Sequence, residues 1–259
     1  MTNELIRQRR VVMSLARRDF QRKYVRNVFG ILWAVIDPIV FVGILYLIFS
    51  SSFGNSNADS VPFIVYILCG YIAFDLFSNL QTLSHVIKDH DFMVKKMNFR
   101  TEILPAGRLL SCLMLHGIMM GIAILIFVLN GIHPNVYWIQ LLYYASALSL
   151  FLLGASMLTS TVSLFFPDLS HFIPIITRVL FFITPVFWRM DSLPAATSQW
   201  LKLNPMVYIV NGYRDSLLYG RGFWHHPWQT LYFWGLTATV LWIGTEVHRR
   251  LRPHFAEVV

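Results

Sequence analysis

Charge is scarce in this chain: of 259 residues 13% are Asp, Glu, Lys or Arg, against 56% hydrophobic and 15% aromatic. Ordinary soluble domains carry about 25% charged residues, so the composition points away from that class and toward a membrane. Between Arg108 and Asp168 there are fifty-nine consecutive residues with none of the four. A spanning helix needs roughly 20 apolar residues, so this gap alone holds two. The two cysteines, Cys69 and Cys112, lie in apolar runs without metal-ligand spacing and read as small core residues. No G-x-x-x-x-G-K-[ST] loop occurs, so ATP and Mg are expected on a partner and no cofactor is expected on this chain. No G-x-S-x-G elbow or H-E-x-x-H pair is present, and the adjacent His225 and His226 lack the helix-face spacing of metal ligands. Catalytic and metal residues therefore have no candidates. No cleavable signal is expected either: the first long apolar run starts near Val28, after a basic stretch, and no small-residue cleavage pattern follows.

Six apolar runs are present, at Phe29 to Ser50, Val61 to Asn79, Ile103 to Leu129, Val136 to Phe166, Phe172 to Trp188 and Pro227 to Thr245. The pattern predicts an all-α membrane protein with six transmembrane helices. The fourth run is long enough to tilt or break near Gly154, and the fifth is short and interrupted by Pro174 and Pro185.

With six spans both termini share a side. Eight Lys and Arg precede the first span, five lie from Lys88 to Arg108, one is Arg178 and three follow Thr245; the other side keeps Arg189, Lys202, Arg214 and Arg221. The positive-inside rule then places both termini in the cytoplasm. The net charge of +8 is thereby assigned to topology and lipid, not to nucleic acid.

Residues 1–28 form the first unit, a cytoplasmic amphipathic interfacial helix. In "VVMSLARRDFQRKYVRNVFG", Val12, Ala16, Phe20, Tyr24 and Val28 recur every four residues, with Arg17, Arg18, Arg22, Lys23 and Arg26 largely on other faces. It is read as an anchor on anionic lipid, with capture of an anionic lipid head group as a further role. Residues 29–259 form the membrane domain. Within it, "VIKDHDFMVKKMNFRTEILP" joins spans two and three. It is either a solvated connector whose lysines set topology or a docking helix presenting Phe92, Met93 and Met97 on one face.

Ionisable residues inside spans are few. Asp37, Asp75, Arg108 and Arg178 fall toward the cytoplasmic ends, where water or snorkelling lowers their cost. His116 lies deep and is expected neutral, with one hydrogen bond. The aromatic clusters "YWIQLLYY", "PVFW" and "GFWHHPWQTLYFW" fit membrane-edge belts, some members of which could face a path for sugar chains.

The extracytoplasmic segment, about 189–226, contains "LNPMVYIVNGYRDSLLYG". Met206, Val210, Tyr213 and Leu217 form one stripe; Tyr208, Asn211, Asp215 and Tyr219 form the opposite one, with Arg214 at the boundary. About 15 residues reach only about 22 Å, short of a core of about 30 Å. The expectation is a short re-entrant or gate helix lying at the outer leaflet, its polar face toward polymer or water.

The order of these features resembles the type-2 ABC exporter permeases: amphipathic helix, "FGILWAVIDP", "KKMNFRTEILP", "TPVFW", "LP", "LNP" and "YRDSLLYG" before the sixth span. The C-terminal half, with "FWHHPWQTLYFW" and "RPHFAEVV", looks most like wall teichoic acid export permeases. O-antigen and capsular polysaccharide permeases share the motifs. The resemblance implies a dimer with a second copy of the chain, two ATP-binding subunits, and an undecaprenyl-linked anionic glycopolymer as cargo. It places the coupling helix at 89–99, with Asp89, Phe92, Met93, Lys95, Lys96, Met97 and Phe99 contacting the ATPase. Gate helices fall between Leu193 and Tyr219, including Asn204, Pro205, Arg214 and Asp215. Arg17, Arg18, Arg22 and Lys23 become partners for the cargo's pyrophosphate, on charge chemistry. A secondary transporter and a membrane-embedded transferase are the rival classes. The first would need deeper paired charges and the second clustered acid, base or metal ligands.

Overall fold

The computed structural model describes residues 9–24, 29–53, 61–95, 100–190 and 193–255. Among these residues the regular structure is helical throughout, with no strand. The principal helices are α1 (Arg9–Tyr24), α2 (Trp33–Phe53), α3 (Phe63–Ser78), α4 (Ile103–Leu129), α5 (Gln140–Phe165), α6 (Leu169–Ile183), α7 (Ala195–Leu201), α8 (Pro205–Arg214) and α9 (Pro227–Leu251). Among the described residues four segments are long and apolar enough to cross a membrane: Gly30–Ser50, Phe63–Leu83, Ile103–Leu129 and Val136–Phe165. The other two expected spans fall short of that measure in different ways. α6 has 15 residues, about 22 Å at 1.5 Å each. α9 has 25, but the Gln, Tyr, Trp and Thr of its first turns make it less apolar.

Helix ends follow local chemistry. Asn204 accepts a hydrogen bond from the Met206 amide at 3.0 Å, and Pro205 occupies the first helical position of α8, where its missing N–H costs nothing. Asp215–Tyr219 continues α8 as a π-helical turn, stopped by Gly220 in the left-handed region at φ 60°.

α5 is unbroken at Gly154, so of the expected tilt or break the break does not occur. The residue serves packing instead. A Cβ on Gly154 would lie 2.7 Å from the Leu241 Cα, and one on Gly244 would lie 2.3 Å from the Gly154 carbonyl oxygen. α5 and α9 thus approach backbone to backbone through two glycines. At the far end of this pair His248 is buried between two hydroxyls, Thr101 Oγ1 at 2.9 Å from Nε2 and Thr161 Oγ1 at 2.8 Å from Nδ1. A neutral imidazole donates through one nitrogen and accepts through the other, so both are satisfied. This ties α9 to α5 and to the start of α4.

The main core gathers Ile67, Cys69, Tyr144, Leu148, Tyr213 and Phe233. Both cysteines are buried, as small core residues. A second cluster joins Leu15 of α1 to Val86, Ile87, Leu104 and Phe255. By contrast, Ile36, Ile39, Val40 and Leu47 of α2 and Ile175, Ile176, Val179 and Phe182 of α6 are exposed, apolar surface suited to lipid or another subunit.

α8 packs against α3, α5 and α9. Met206, Val207, Tyr208, Ile209, Val210, Tyr213 and Arg214 are all buried. The two-stripe periodicity is present, and Tyr208 of the polar stripe is satisfied by protein groups. Tyr208 Oη is 2.9 Å from Tyr143 Oη and accepts from Thr230 Oγ1 at 3.1 Å, while Trp234 Nε1 donates to Tyr143 Oη at 2.8 Å.

Candidate functional site

Polar groups concentrate at the two ends of the bundle. α9 runs from one to the other, starting beside Asp215 at His226 and ending at Thr101 through His248. At the end that holds α1 and Phe255, Arg108 on α4 lies 2.9 Å through Nε from Asp19 Oδ2 on α1, and donates through Nη2 to Asp89 Oδ2 at 3.0 Å. The first contact is ionic and off the axis of an aligned hydrogen bond. His90 Nδ1 donates to the Val86 carbonyl at 2.9 Å, leaving Nε2 toward Asp19 Oδ1 at 3.7 Å.

These groups set one another's protonation. Burial opposes ionisation of Asp19, but the facing His90 and the charges of Arg108 and Arg22 outweigh it and hold the carboxyl below its ordinary range. His90 moves up, chiefly through the facing Asp19 carboxylate, with the Val86 carbonyl helping and burial and Arg108 opposing. Asp19, Arg22, Asp89 and Arg108 line a cavity of about 550 Å³. A second cavity, about 530 Å³, shares Asn79, Thr82 and Leu115 with it and contains Asp37 and Asp75. Those carboxylates therefore border hollow space, where hydration lowers the cost of placing them in apolar helices.

The expected coupling segment is built from two short turns, Lys88–His90 and Asp91–Val94. Phe92 is 69% exposed, Val94 is buried and Met93 packs partly against the Leu15 cluster. Phe92 and Met93 consequently do not share one outward face, because Met93 is used by the protein's own core. Lys95 is exposed, and Asp89 is held by Arg108. Lys96, Met97 and Phe99 lie outside the described residues. The basic quartet of α1 divides: Arg17 and Arg18 are exposed on its outer side, Arg22 borders the inner cavity, and the Lys23 side chain lies outside the described set. Arg178 is exposed on α6 and lines neither of these cavities.

At the opposite end, Arg214, at the boundary between the two stripes of α8, is inserted into protein. It is 3% exposed; Nη2 donates to the Val186 carbonyl at 2.7 Å, and its guanidinium carbon stands 3.6 Å from the Tyr66 ring centroid. Gly70 makes room, since a Cβ there would lie 2.7 Å from that Nη2. Asp215, beside it, faces His226 Nε2 at 3.2 Å. Asn204 Nδ2 donates to Thr184 Oγ1 at 2.8 Å, fastening α8 to the end of α6. Asn211, Arg214, Asp215 and Tyr219 border a cleft of about 290 Å³, whereas Tyr208 is in the core. His116 is buried and makes its hydrogen bond through Nε2 to Tyr213 Oη, 2.9 Å. Residues 10–218, from α1 to the π turn, match the ABC-2 type transporter family. The chain belongs to this family. As an ABC-2 chain it is a multi-pass membrane permease.

Among curated relatives, an O-antigen export system permease protein of Klebsiella pneumoniae is 25% identical, covering 96% of this chain and 95% of its own length. A Myxococcus xanthus protein of the same description is 23% identical over 100% and 99%. The polysialic acid transport protein KpsM of Escherichia coli is 24% identical over 93% of each. The similarity therefore runs through both polar ends of the ABC-2 fold.

Sequence reasoning missed Asp19, His90 and His226 as site groups. Asp19 had one available signal, as the single acid in "ARRDFQRK".

Proposed function

We propose that this chain is the permease subunit of an ATP-driven exporter of polysaccharide. Similarity to O-antigen and polysialic acid permeases over more than nine-tenths of the chain carries this reading. It takes precedence over teichoic acid, which rested on the resemblance of the C-terminal half. In this reading α6 and α9 complete six spans and both termini face the cytoplasm, consistent with the charge asymmetry. A second copy covers exposed apolar surface, and separate subunits bind ATP and Mg. Phe92 and the segment around it face those subunits, while the Asp19, Arg108 and Asp89 contacts link docking to α1 and α4. A lipid-linked glycan would enter beside Arg17, Arg18 and Arg22.

Reconstitution tests the assignment. The chain together with its ATP-hydrolysing partner should move a labelled lipid-linked polysaccharide only when ATP is present, and the chain alone should not. Flux through the chain alone, driven by an ion gradient, would overturn it in favour of a secondary transporter.

A further inference from the structure

The cleft below the π turn holds more positive charge than its described carboxylate balances. Arg189, Arg214 and Arg221 line it, with Asp215 as the acidic residue among the described lining, and that carboxylate is engaged by His226 at 3.2 Å. Arg189 has an interaction of its own. Arg214 is different: 3% exposed, it rests on a neutral carbonyl and an aromatic ring, and its Nε has no hydrogen-bond partner among the described residues. A guanidinium keeps its charge even when buried, and native interiors seldom leave such a charge without a counter-charge. Arg221 approaches from the exposed side, its guanidinium carbon 5.5 Å from the Tyr219 ring centroid, and no described carboxylate pairs with it.

A volume of about 290 Å³ admits a tetrahedral oxyanion with part of the group that carries it. Two guanidinium forks, with the Asn211 amide beside them, offer more donors than a planar carboxylate uses, and arginine forks match phosphate oxygens in pairs. We propose that this cleft is a binding site for a phosphate ester, held by Arg214 from the buried side and by Arg221 from the open side. The ester comes either from a phospholipid headgroup or from a phosphorylated glycan. The proposal stands on the cleft alone and does not depend on the export reading.

Full-length chain purified in detergent is titrated by calorimetry with glycerol 1-phosphate and N-acetylglucosamine 1-phosphate, with glycerol, N-acetylglucosamine and glucuronate as controls. Native mass spectrometry separately counts phosphatidylglycerol and phosphatidylcholine retained from mixed nanodiscs. The phosphate esters should bind at least about tenfold more tightly than every control, and Arg221→Gln should weaken them by about tenfold. Arg214→Gln should abolish binding. If it does not fold, Arg214→Lys, which keeps the charge but loses the fork, should weaken binding instead. Tight sugar phosphate binding assigns the ester to glycan. Variant-sensitive phospholipid retention without sugar phosphate binding assigns it to lipid, and either result supports the site. Equal binding of neutral sugars or glucuronate, with lipid retention insensitive to both positions, overturns it.

Discussion

Arg108 on α4 stands 2.9 Å from Asp19 on α1, and the same guanidinium reaches Asp89 in the segment after α3 at 3.0 Å. One side chain thus joins the basic helix to the segment expected to meet the ATPase. Displacing either carboxylate changes the charge seen by the other through Arg108, so the three elements form a contiguous electrostatic unit.

Asp19→Asn should therefore loosen α1 from α4. The Asp19 side chain is 9% exposed and Arg108 20%, so the pair is shielded but not dry. The expected cost is about 1.5–3 kcal/mol, the range for hydrogen bonds to charged groups. Thermal unfolding in detergent and proteolysis within α1 measure it. Unchanged melting together with unchanged cleavage would count against the link.

The same cluster gives a pH dependence with a definite sign. Asp19 is shifted below its ordinary 3.8, so its contribution is complete above that value and disappears as pH falls through the lower folded-state pKa. His90 is shifted above 6.5, so its contribution is complete below that value and is lost as pH rises through the higher folded-state pKa. The linkage is strongest between 3.8 and 6.5. Comparing the melting of wild type and His90→Gln should show a stability difference at about pH 6 that narrows by about pH 9. A difference that widens with pH would contradict the pairing.

Gly244→Ala should damage folding with no change in charge or polarity. Its Cβ would sit 2.3 Å from the Gly154 carbonyl oxygen, a backbone atom that cannot rotate away. Overpacking of this kind costs about 1–3 kcal/mol, and separating two helices places the value toward the upper end. Gly43, where an added Cβ would meet nothing within 4 Å, is the matched control. Equal melting of Gly244→Ala and Gly43→Ala would show that α5 and α9 tolerate separation.

Hydropathy and charge made the helical membrane class, α2 to α5 and the basic character of α1 legible, because those properties are local. Asn204 and Pro205 likewise declared the start of α8 through capping chemistry that three residues suffice to specify. The depth of α8 was not legible. Whether Tyr208, Arg214 and Asp215 meet water or protein depends on Tyr143, Tyr66, Val186 and His226, all supplied by other elements. The Asp19 to Arg108 contact was hidden for the same reason, since α2 and α3 separate its partners along the chain.

Tyr208 separates gate from core. As a polymer-facing residue it would tolerate Tyr208→Ala at normal protein levels, but at 4% exposure against Tyr143, Tyr144 and Phe233 the truncation opens a cavity. Large aromatic-to-alanine changes in cores cost about 3–5 kcal/mol, so folded yield should fall sharply. Tyr208→Phe keeps the ring and removes only the hydroxyl, costing about 1 kcal/mol. Size-exclusion yield and melting of the two variants decide the point. Normal folding of Tyr208→Ala with altered export would support the gate role.

Phe92 offers the cleanest separation of docking from folding. It is 69% exposed on a one-turn helix whose own anchorage comes from Val94, 9% exposed, and the partly buried Met93. A large aromatic side chain held outward beside a buried anchor resembles an interface hot spot, where one residue filling a partner's pocket contributes about 2 kcal/mol or more. Phe92→Asp removes that side chain and adds a charge to a desolvated contact, while leaving the Leu15 cluster intact. The variant should melt like wild type yet lose co-purification with the ATP-hydrolysing subunit, with transport falling in parallel. Val94→Asp, in contrast, buries a charge in the cluster and should lower folded yield before any binding is measured. If Phe92→Asp retains the partner and transports normally, the coupling contact lies elsewhere in the 89–99 segment.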